Sequence, residues 1–139
     1  MKCLGCKIRG KKCCDHLGIG ILLFRLGIAA VFIVHGWQKI SNIQGVAGFF
    51  GSLGLGIFFV YLVTFVEFTG GIAMLVGVLT RVAGFALAVN MLFVIILVKG
   101  SLGFVGGYEL ELLLLLVSLG LVFTGPGSYA LQNLWSRRK

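Results

Sequence analysis

Four long apolar stretches constrain this chain more than any other feature of its sequence. They cover approximately residues 17–40, 57–79, 82–98 and 108–124, and few charged residues interrupt them. Each length is close to the ~17–25 residues with which a helix crosses the hydrocarbon core of a bilayer. A single span in lipid must satisfy its own backbone hydrogen bonds, and a helix does this. The sequence therefore predicts an all-α fold, an integral membrane four-helix bundle.

The composition supports a membrane as the surrounding medium. Hydrophobic residues make up 59% of the chain and charged residues only 12%, against about 25% charged residues in soluble domains. The net charge of +8 would suit nucleic acid, but the basic residues gather at the two chain ends beside apolar stretches. Such ends are typical of tails that lie near anionic lipid head groups. We expect a lipid membrane as partner and no nucleic acid.

The chain divides into a membrane domain between two basic tails. We expect a Cys-containing cytoplasmic tail over residues 1–16, a four-span membrane domain over 17–131 and a basic cytoplasmic C-terminal tail over 132–139. The first apolar stretch is too long for a signal peptide and no small-residue cleavage site follows it, so we interpret it as a retained first helix.

A short amphipathic segment separates the first two spans. Val46, Phe49, Phe50 and Leu53 follow the i, i+3, i+4, i+7 spacing of one helical face. The segment is too short and too rich in glycine to cross the bilayer. It is predicted to form a short interfacial helix.

Basic residues also indicate an orientation. One side of the membrane would collect five cations of the N-terminal tail, Arg81 and three C-terminal cations, nine in all, whereas the other side would hold only Lys39 and Lys99. Lys and Arg concentrate on the cytoplasmic side. We therefore expect a multi-pass protein of the cell membrane with both termini cytoplasmic.

Charged and polar side chains at membrane depth mark a candidate site. A charge near the bilayer centre costs about 2.5–3.5 kcal/mol on insertion scales. The depths of Arg25 and Glu67 differ by several ångströms, which a long arginine side chain can span, so the two are predicted to neutralise each other. Two interpretations stay open: a pair that only holds the bundle together, or a polar site for a head group, an ion or a proton. Asn90 is either an interhelical hydrogen-bond donor or a ligand group.

The outer end of the bundle adds further candidates. His35 and Lys39 end the first span, and Glu109 and Glu111 begin the fourth. Two glutamates at i and i+2 point in different directions on a helix, so one of them is expected to face inward and the other to face lipid head groups or water. The predicted residues for ligand binding or proton relay are Arg25, His35, Lys39, Glu67, Asn90 and Glu109.

The N-terminal tail carries a cluster of thiols. A C-x2-C pair is followed by C-C-D-H, which gives the candidate metal ligands Cys3, Cys6, Cys13, Cys14 and His16. Thiolates and imidazole bind Zn²⁺ tetrahedrally, but another metal, a redox role and free thiols are alternatives that the spacing leaves open. Structural disulfides are not expected in the reducing cytoplasm.

Several ordered motifs resemble the DoxX family. They are LLFRLGIAAVFIVHGWQKI, GVAGFFGSLGL, VEFTGGIAMLVGVLTR, GYELELLLLL and GPGSYAL. The resemblance covers residues 17–131 and implies a four-helix membrane bundle. The polar markers that it carries over by position are Arg25, His35, Gly36, Lys39, Glu67, Gly71, Arg81, Asn90 and Glu109. An uncharged residue is expected where Glu111 stands, and the cysteine tail lies outside the family pattern.

The resemblance implies redox work at the membrane. Some DoxX relatives are described as membrane subunits of quinone-linked sulfur oxidation or as parts of oxidative-stress assemblies. We therefore expect a membrane subunit of a quinone-linked oxidoreductase, with a quinone as cofactor and soluble redox subunits as partners. A non-enzymatic scaffold and a carrier of protons or small molecules are the alternatives. The sequence has no haem pair, nucleotide loop or Ser-His-Asp set, so a stand-alone enzyme is not expected, and it assigns neither catalytic residues nor an oligomeric state.

Overall fold

The computed structural model describes residues 10–132, with side chains from residue 16 onward. Every regular element in that range is helical. The predicted all-α membrane bundle is confirmed, because four segments of the described chain are long and apolar enough to span a bilayer. The five principal helices are α1 (Gly10–Ser41), α2 (Ile43–Ser52), α3 (Ile57–Val76), α4 (Thr80–Val94) and α5 (Glu109–Thr124).

The turn between α3 and α4 differs from the predicted boundaries. The second stretch was predicted to reach residue 79, but α3 ends at Val76 because Gly77 adopts a left-handed conformation with φ 77°. Leu79 is also left-handed, with φ 50°, and α4 begins directly after it at Thr80. Left-handed backbone terminates a helix, and glycine adopts it at the lowest steric cost. Sequence hydropathy cannot detect this end, since the turn is itself apolar.

The short helix predicted between the first two spans is present as α2. The Asn42 side chain caps its N-terminus by accepting a hydrogen bond from the backbone N–H of Gly45 at 3.3 Å. Phe50 turns inward and packs with Val60 and Val63 of α3 in a small apolar cluster. This packing holds α2 across one end of the bundle.

Glycines allow the spanning helices to approach closely. A Cβ added at Gly36 of α1 would lie 2.9 Å from the backbone nitrogen of Phe68 on α3. One added at Gly71 of α3 would meet the backbone of Ile33 at 3.0 Å. In lipid, where there is no hydrophobic drive between helices, such close backbone packing is a main source of association. The α1–α3 contact is thus fixed at the level of the predicted polar residues.

The connection between α4 and α5 consists of short helical turns, with non-helical backbone at Gly103, Val105 and Gly106. A π-helical turn, Ile95–Lys99, continues α4, and a 3-10 turn, Gly100–Leu102, follows it. Gly103 then has φ 79° and the chain returns to α5. π-turns shift the direction of the side chains that follow and are frequent at functional sites. Here the π-turn places Lys99 beside the start of α5.

Candidate functional site

A cavity of about 490 Å³ lies at the end of the bundle where α1 ends and α3 begins. The chain crosses the bundle an even number of times between the two described ends, so this end is opposite to both of them. The wall is mainly apolar and aromatic, with Phe32, Phe49 and Phe50 among its residues. Its ionisable residues are His35, Lys39, Glu67, Lys99 and Glu111.

Lys39 and Glu67 form the inner ion pair of the cavity. Lys39 Nζ donates to Glu67 Oε1 at 2.6 Å, and Asn90 Nδ2 donates to the same oxygen at 3.0 Å. The Glu67 side chain is only 3% exposed, whereas that of Lys39 is 21% exposed. Three helices, α1, α3 and α4, therefore meet at a single carboxylate oxygen. Charge-assisted hydrogen bonds of this kind are short and strong.

Lys99 and Glu111 form a second ion pair nearer the surface. Lys99 Nζ lies 2.6 Å from Glu111 Oε1 and also donates to the carbonyl of Gly107 at 3.2 Å. The side chains are 34% and 12% exposed, respectively. The pair joins the π-turn after α4 to the first turn of α5, so the tight connection described above is what brings it to the cavity.

Within the described part of the chain, each of the two carboxylates has one oxygen without a hydrogen-bond partner. Glu67 Oε2 and Glu111 Oε2 are buried and accept no hydrogen bond from any residue of the described range. Buried polar atoms are rarely left in this state, and an exception calls for water, an ion or a ligand as its explanation. The two ion pairs line one apolar cavity, which is therefore the leading candidate for a binding site.

Arg25 lies elsewhere, and the prediction that it pairs with Glu67 is wrong. Its guanidinium donates to the carbonyls of Met74 at 3.0 Å, Leu75 at 3.2 Å and Pro126 at 2.9 Å. The two α3 carbonyls belong to the last turn of the helix, where backbone acceptors have no intrahelical donor. Met74 is seven residues, or about 10 Å of helix, from Glu67. Arg25 thus caps α3 and does not line the cavity.

The choice between the two glutamates of α5 is also corrected. Glu109 is exposed and does not line the cavity, whereas Glu111 does. Glu111 shares a helical face with Leu114, Ser118 and Leu121, at i+3, i+7 and i+10, and these three residues are buried. The opposite face of α5, with Leu112, Leu113 and Leu116, is equally apolar, so sequence periodicity alone does not select Glu111.

The remaining predicted residues divide between the cavity and the tail. The structure brings His35, Lys39, Glu67 and Asn90 to one region: three of them line the cavity, and Asn90 donates a hydrogen bond to Glu67. Lys99 was not among the predicted site residues; its position depends on the π-turn, which sequence periodicity does not reveal.

The predicted metal ligands mostly fall outside what the structure describes. Cys3 and Cys6 precede the described residues, and the side chains of Cys13 and Cys14 are likewise outside them. His16 is described and is exposed. Among the described side chains, no group of three His, Cys, Asp or Glu residues is arranged to hold a metal ion. A metal site in the tail stays a prediction.

Comparison with known proteins gives a consistent result. The family model for DoxX matches residues 20–100. A Bacillus subtilis protein named "Putative oxidoreductase CatD" is 39% identical over 114 residues, which are 82% of this chain and 85% of that protein. The "Inner membrane protein YqjF" of Escherichia coli is 33% identical over 127 residues, 86% of this chain and 95% of that protein. No solved structure matches the chain significantly.

Proposed function

The chain belongs to the DoxX family of membrane proteins, and from this premise we propose that it is the membrane subunit of a quinone-linked redox system. The observation that carries the proposal is the cavity, whose mainly apolar and aromatic wall also carries the Lys39–Glu67 and Lys99–Glu111 ion pairs. The word "oxidoreductase" in the name of the Bacillus subtilis relative supports a redox role. In this proposal a soluble partner exchanges the electrons, and this chain binds the quinone.

The residues of the cavity suit a quinone head group. A quinone is a flat apolar ring with two polar oxygens, and the wall combines aromatic side chains with two ammonium groups, those of Lys39 and Lys99. The volume is within the roughly 300–1,000 Å³ of small-molecule sites. Phe49 and Leu110, which also line the cavity, are 51% and 42% exposed. An apolar ligand could therefore enter from the lipid between α2 and α5.

The quinone would supply the two-electron chemistry, and this chain would supply binding and proton handling. Lys39 and Lys99 can donate hydrogen bonds to ring oxygens, and Glu67 and Glu111 can accept from hydroxyl groups or hold a proton. His35 at the cavity wall is a further group able to exchange protons. Ionisable side chains inside membranes commonly serve such relays.

The orientation of the cavity follows from the charge bias of the sequence. We propose that both termini are cytoplasmic, because nine basic residues would then lie on the cytoplasmic side and two on the other. The cavity would open on the non-cytoplasmic side. Protons exchanged with the ligand would then be exchanged with that side.

A carrier function has less support than ligand binding. Between the cavity and the level of Arg25, the described core is filled by Phe32, Met74 and Leu87, each at most 1% exposed. Such packing leaves no polar path for a proton or a solute. A carrier would require this apolar layer to open.

Ligand binding can be tested by blocking the cavity from α2. We expect a short-chain quinone or its hydroquinone to bind the detergent-purified protein saturably in isothermal titration calorimetry. Val46→Trp places a large side chain on the cavity wall and should weaken binding about tenfold or more, a loss of roughly 1.4 kcal/mol. Gly48→Trp is the matched control, since Gly48 lies on the same helix with no atom near its Cβ direction. If neither redox form binds the folded wild-type protein, the proposal is wrong.

A further inference from the structure

We infer that the ligand of the cavity is a lipid: a quinone whose long alkyl or isoprenoid chain leaves the cavity sideways, between α5 on one side and α1 and α2 on the other, and stays in the bilayer. This inference rests on the proposed function and adds to it the class of quinone and the course of its chain. It follows from the depth of the cavity in the membrane and from the side on which the bundle is open.

The cavity lies at membrane depth. The helix α3 has 20 residues, or about 30 Å of helix, which equals the thickness of the hydrocarbon core. Glu67 on the cavity wall comes ten residues after Ile57, the first residue of α3, and so lies about 15 Å from that end. Gly36 packs on the backbone of Phe68, which places its neighbour His35, another wall residue, at a similar depth. The surroundings of the cavity at this level are therefore acyl chains.

One side of the cavity opens toward these acyl chains. Among the neighbouring pairs of spanning helices, α1 and α5 are the least closely packed, and α2 packs mainly on α3. His35 on α1, Phe49 on α2 and Leu110 on α5 all line the cavity, and all three are exposed. A side chain has both properties where a cavity meets the surface. These three residues therefore mark a lateral opening.

His35 indicates that a polar ligand passes this opening. Its side chain is exposed at the depth of the acyl chains, and no residue of the described range forms a hydrogen bond with its imidazole. Polar groups at membrane depth are costly and normally have a partner. An acyl chain cannot hydrogen-bond to an imidazole, whereas the oxygens of a quinone ring can accept from it.

The two lysines of the wall can hold the ring inside the cavity. An ammonium group has three N–H donors. Among the described residues, Lys39 donates to Glu67, and Lys99 donates to Glu111 and to the carbonyl of Gly107. Each lysine therefore has at least one N–H left for an acceptor on the ligand. The two carbonyl oxygens of a quinone are such acceptors.

The lateral opening lets the ring bind while the chain remains in lipid. Lipid is as apolar as an apolar protein wall, so a chain gains little by moving from the bilayer into the cavity. A long chain coiled inside about 490 Å³ would also compete with the ring for space. A chain that leaves through the opening avoids both costs, and it keeps the ligand in the membrane beside its site.

The test compares two ligands with the same ring, a dimethylbenzoquinone without a chain and its decyl derivative, by isothermal titration calorimetry. Leu110→Trp fills the lateral opening from α5. Leu113→Trp is the matched control, because Leu113 is exposed on the same helix and does not line the cavity. Val46→Trp obstructs the cavity itself. Each ligand is compared with itself across the detergent-purified wild-type protein and its variants, so its partition into detergent cancels.

The two ligands should respond differently to the variants. We expect Leu110→Trp to weaken binding of the decyl quinone about tenfold or more, because the new side chain occupies the course of the chain. The same variant should change binding of the chainless quinone by less than about threefold. Val46→Trp should weaken binding of both ligands, and Leu113→Trp should weaken neither.

The outcomes separate this inference from the proposed function. Equal losses for both ligands in Leu110→Trp, or no loss for the decyl quinone, overturn the lateral route but leave quinone binding in place. Wild-type protein that binds the chainless quinone and not the decyl quinone overturns the lateral route as well. Failure of both ligands to bind folded wild-type protein overturns the inference and the proposed function together.

A photoreactive chain keeps the inference testable if Leu110→Trp does not fold. A quinone with a diazirine near the ring end of its decyl chain should label His35, Phe49 or Leu110 of the wild-type protein, and excess decyl quinone should prevent this labelling. Labels only on the buried wall, at Met91 or Leu114, would overturn the lateral route. Labels only on lipid-facing residues, with no protection by the decyl quinone, would overturn it too.

Discussion

Removal of Lys39 should destabilise the protein more than removal of its partner, Glu67. Lys39→Leu leaves a carboxylate that is 3% exposed, with the Asn90 amide as its remaining donor. Glu67→Leu leaves an ammonium on a flexible stem that is already 21% exposed. A lysine can extend such a stem toward water or lipid head groups, but a buried glutamate on a helix interior cannot. The loss of stability in each variant therefore depends on how deeply the remaining charged residue is buried.

The burial of each partner gives the expected magnitudes. Breaking a buried pair so that one charge remains typically costs about 3–5 kcal/mol, and Lys39→Leu should fall in this range. Glu67→Leu should cost less, about 1–2 kcal/mol, because the remaining lysine regains solvent. The double variant should be more stable than the sum of the two losses predicts, with a coupling energy of about 1–3 kcal/mol.

A double-mutant cycle with unfolding in mixed detergent and SDS micelles would measure these energies. Arg25 provides the control cycle, because its guanidinium donates to carbonyls at the other end of α3 and not to Glu67. Losses from Arg25→Leu and Glu67→Leu should add to within about 0.5 kcal/mol. A coupling above about 1 kcal/mol between Arg25 and Glu67, or none between Lys39 and Glu67, would refute the assignment of these pairs.

Three further predictions test other parts of the structure. Gly77→Ala should destabilise the protein by about 2–4 kcal/mol in the same unfolding assay, because Gly77 has φ 77° and an added Cβ would clash with the Arg25 guanidinium. Gly20→Ala is the control and should be neutral or stabilising, since no atom lies within 4 Å of the added Cβ. Equal losses of stability in the two variants would contradict the close packing of Arg25 against Gly77. A reporter enzyme that works only outside the cytoplasm should be inactive when fused after the last residue, and strong activity would overturn the proposed orientation. Deletion of residues 1–14, with lysines added to keep the orientation, should leave a monodisperse bundle by gel filtration; failure to fold after correct insertion would indicate that the tail cysteines are structural.

Hydropathy alone was sufficient to predict the spanning helices. A helix in lipid must be apolar along its length, so hydropathy identifies the four spanning stretches without any information on how the helices pack. The convergence of Lys39, Glu67 and Asn90 at one level was also open to prediction, since polar groups at membrane depth need partners. Which partner each one takes was a harder question.

The partners of Arg25 illustrate why. The sequence predicted a side chain of opposite charge as the partner of Arg25. Its guanidinium instead donates to three backbone carbonyls, including those of Met74 and Leu75. The left-handed turn at Gly77 ends α3 and leaves these carbonyls without helical donors. Backbone acceptors exist at every position, so only the course of the chain shows which ones are free. The same limit applies to Lys99, whose direction depends on a π-turn.

Photolabelling with a quinone would show directly whether a quinone binds in the cavity, since it reports where the ligand lies. The purified protein would be illuminated with an azido-substituted short-chain quinone or its hydroquinone, and the labelled residues identified by mass spectrometry. We expect labels on cavity residues such as Phe32, Phe50, Met91 and Leu114, and their loss when excess unlabelled hydroquinone is present. Labels confined to lipid-facing residues, with no protection by the unlabelled compound, would contradict a ligand site in this cavity.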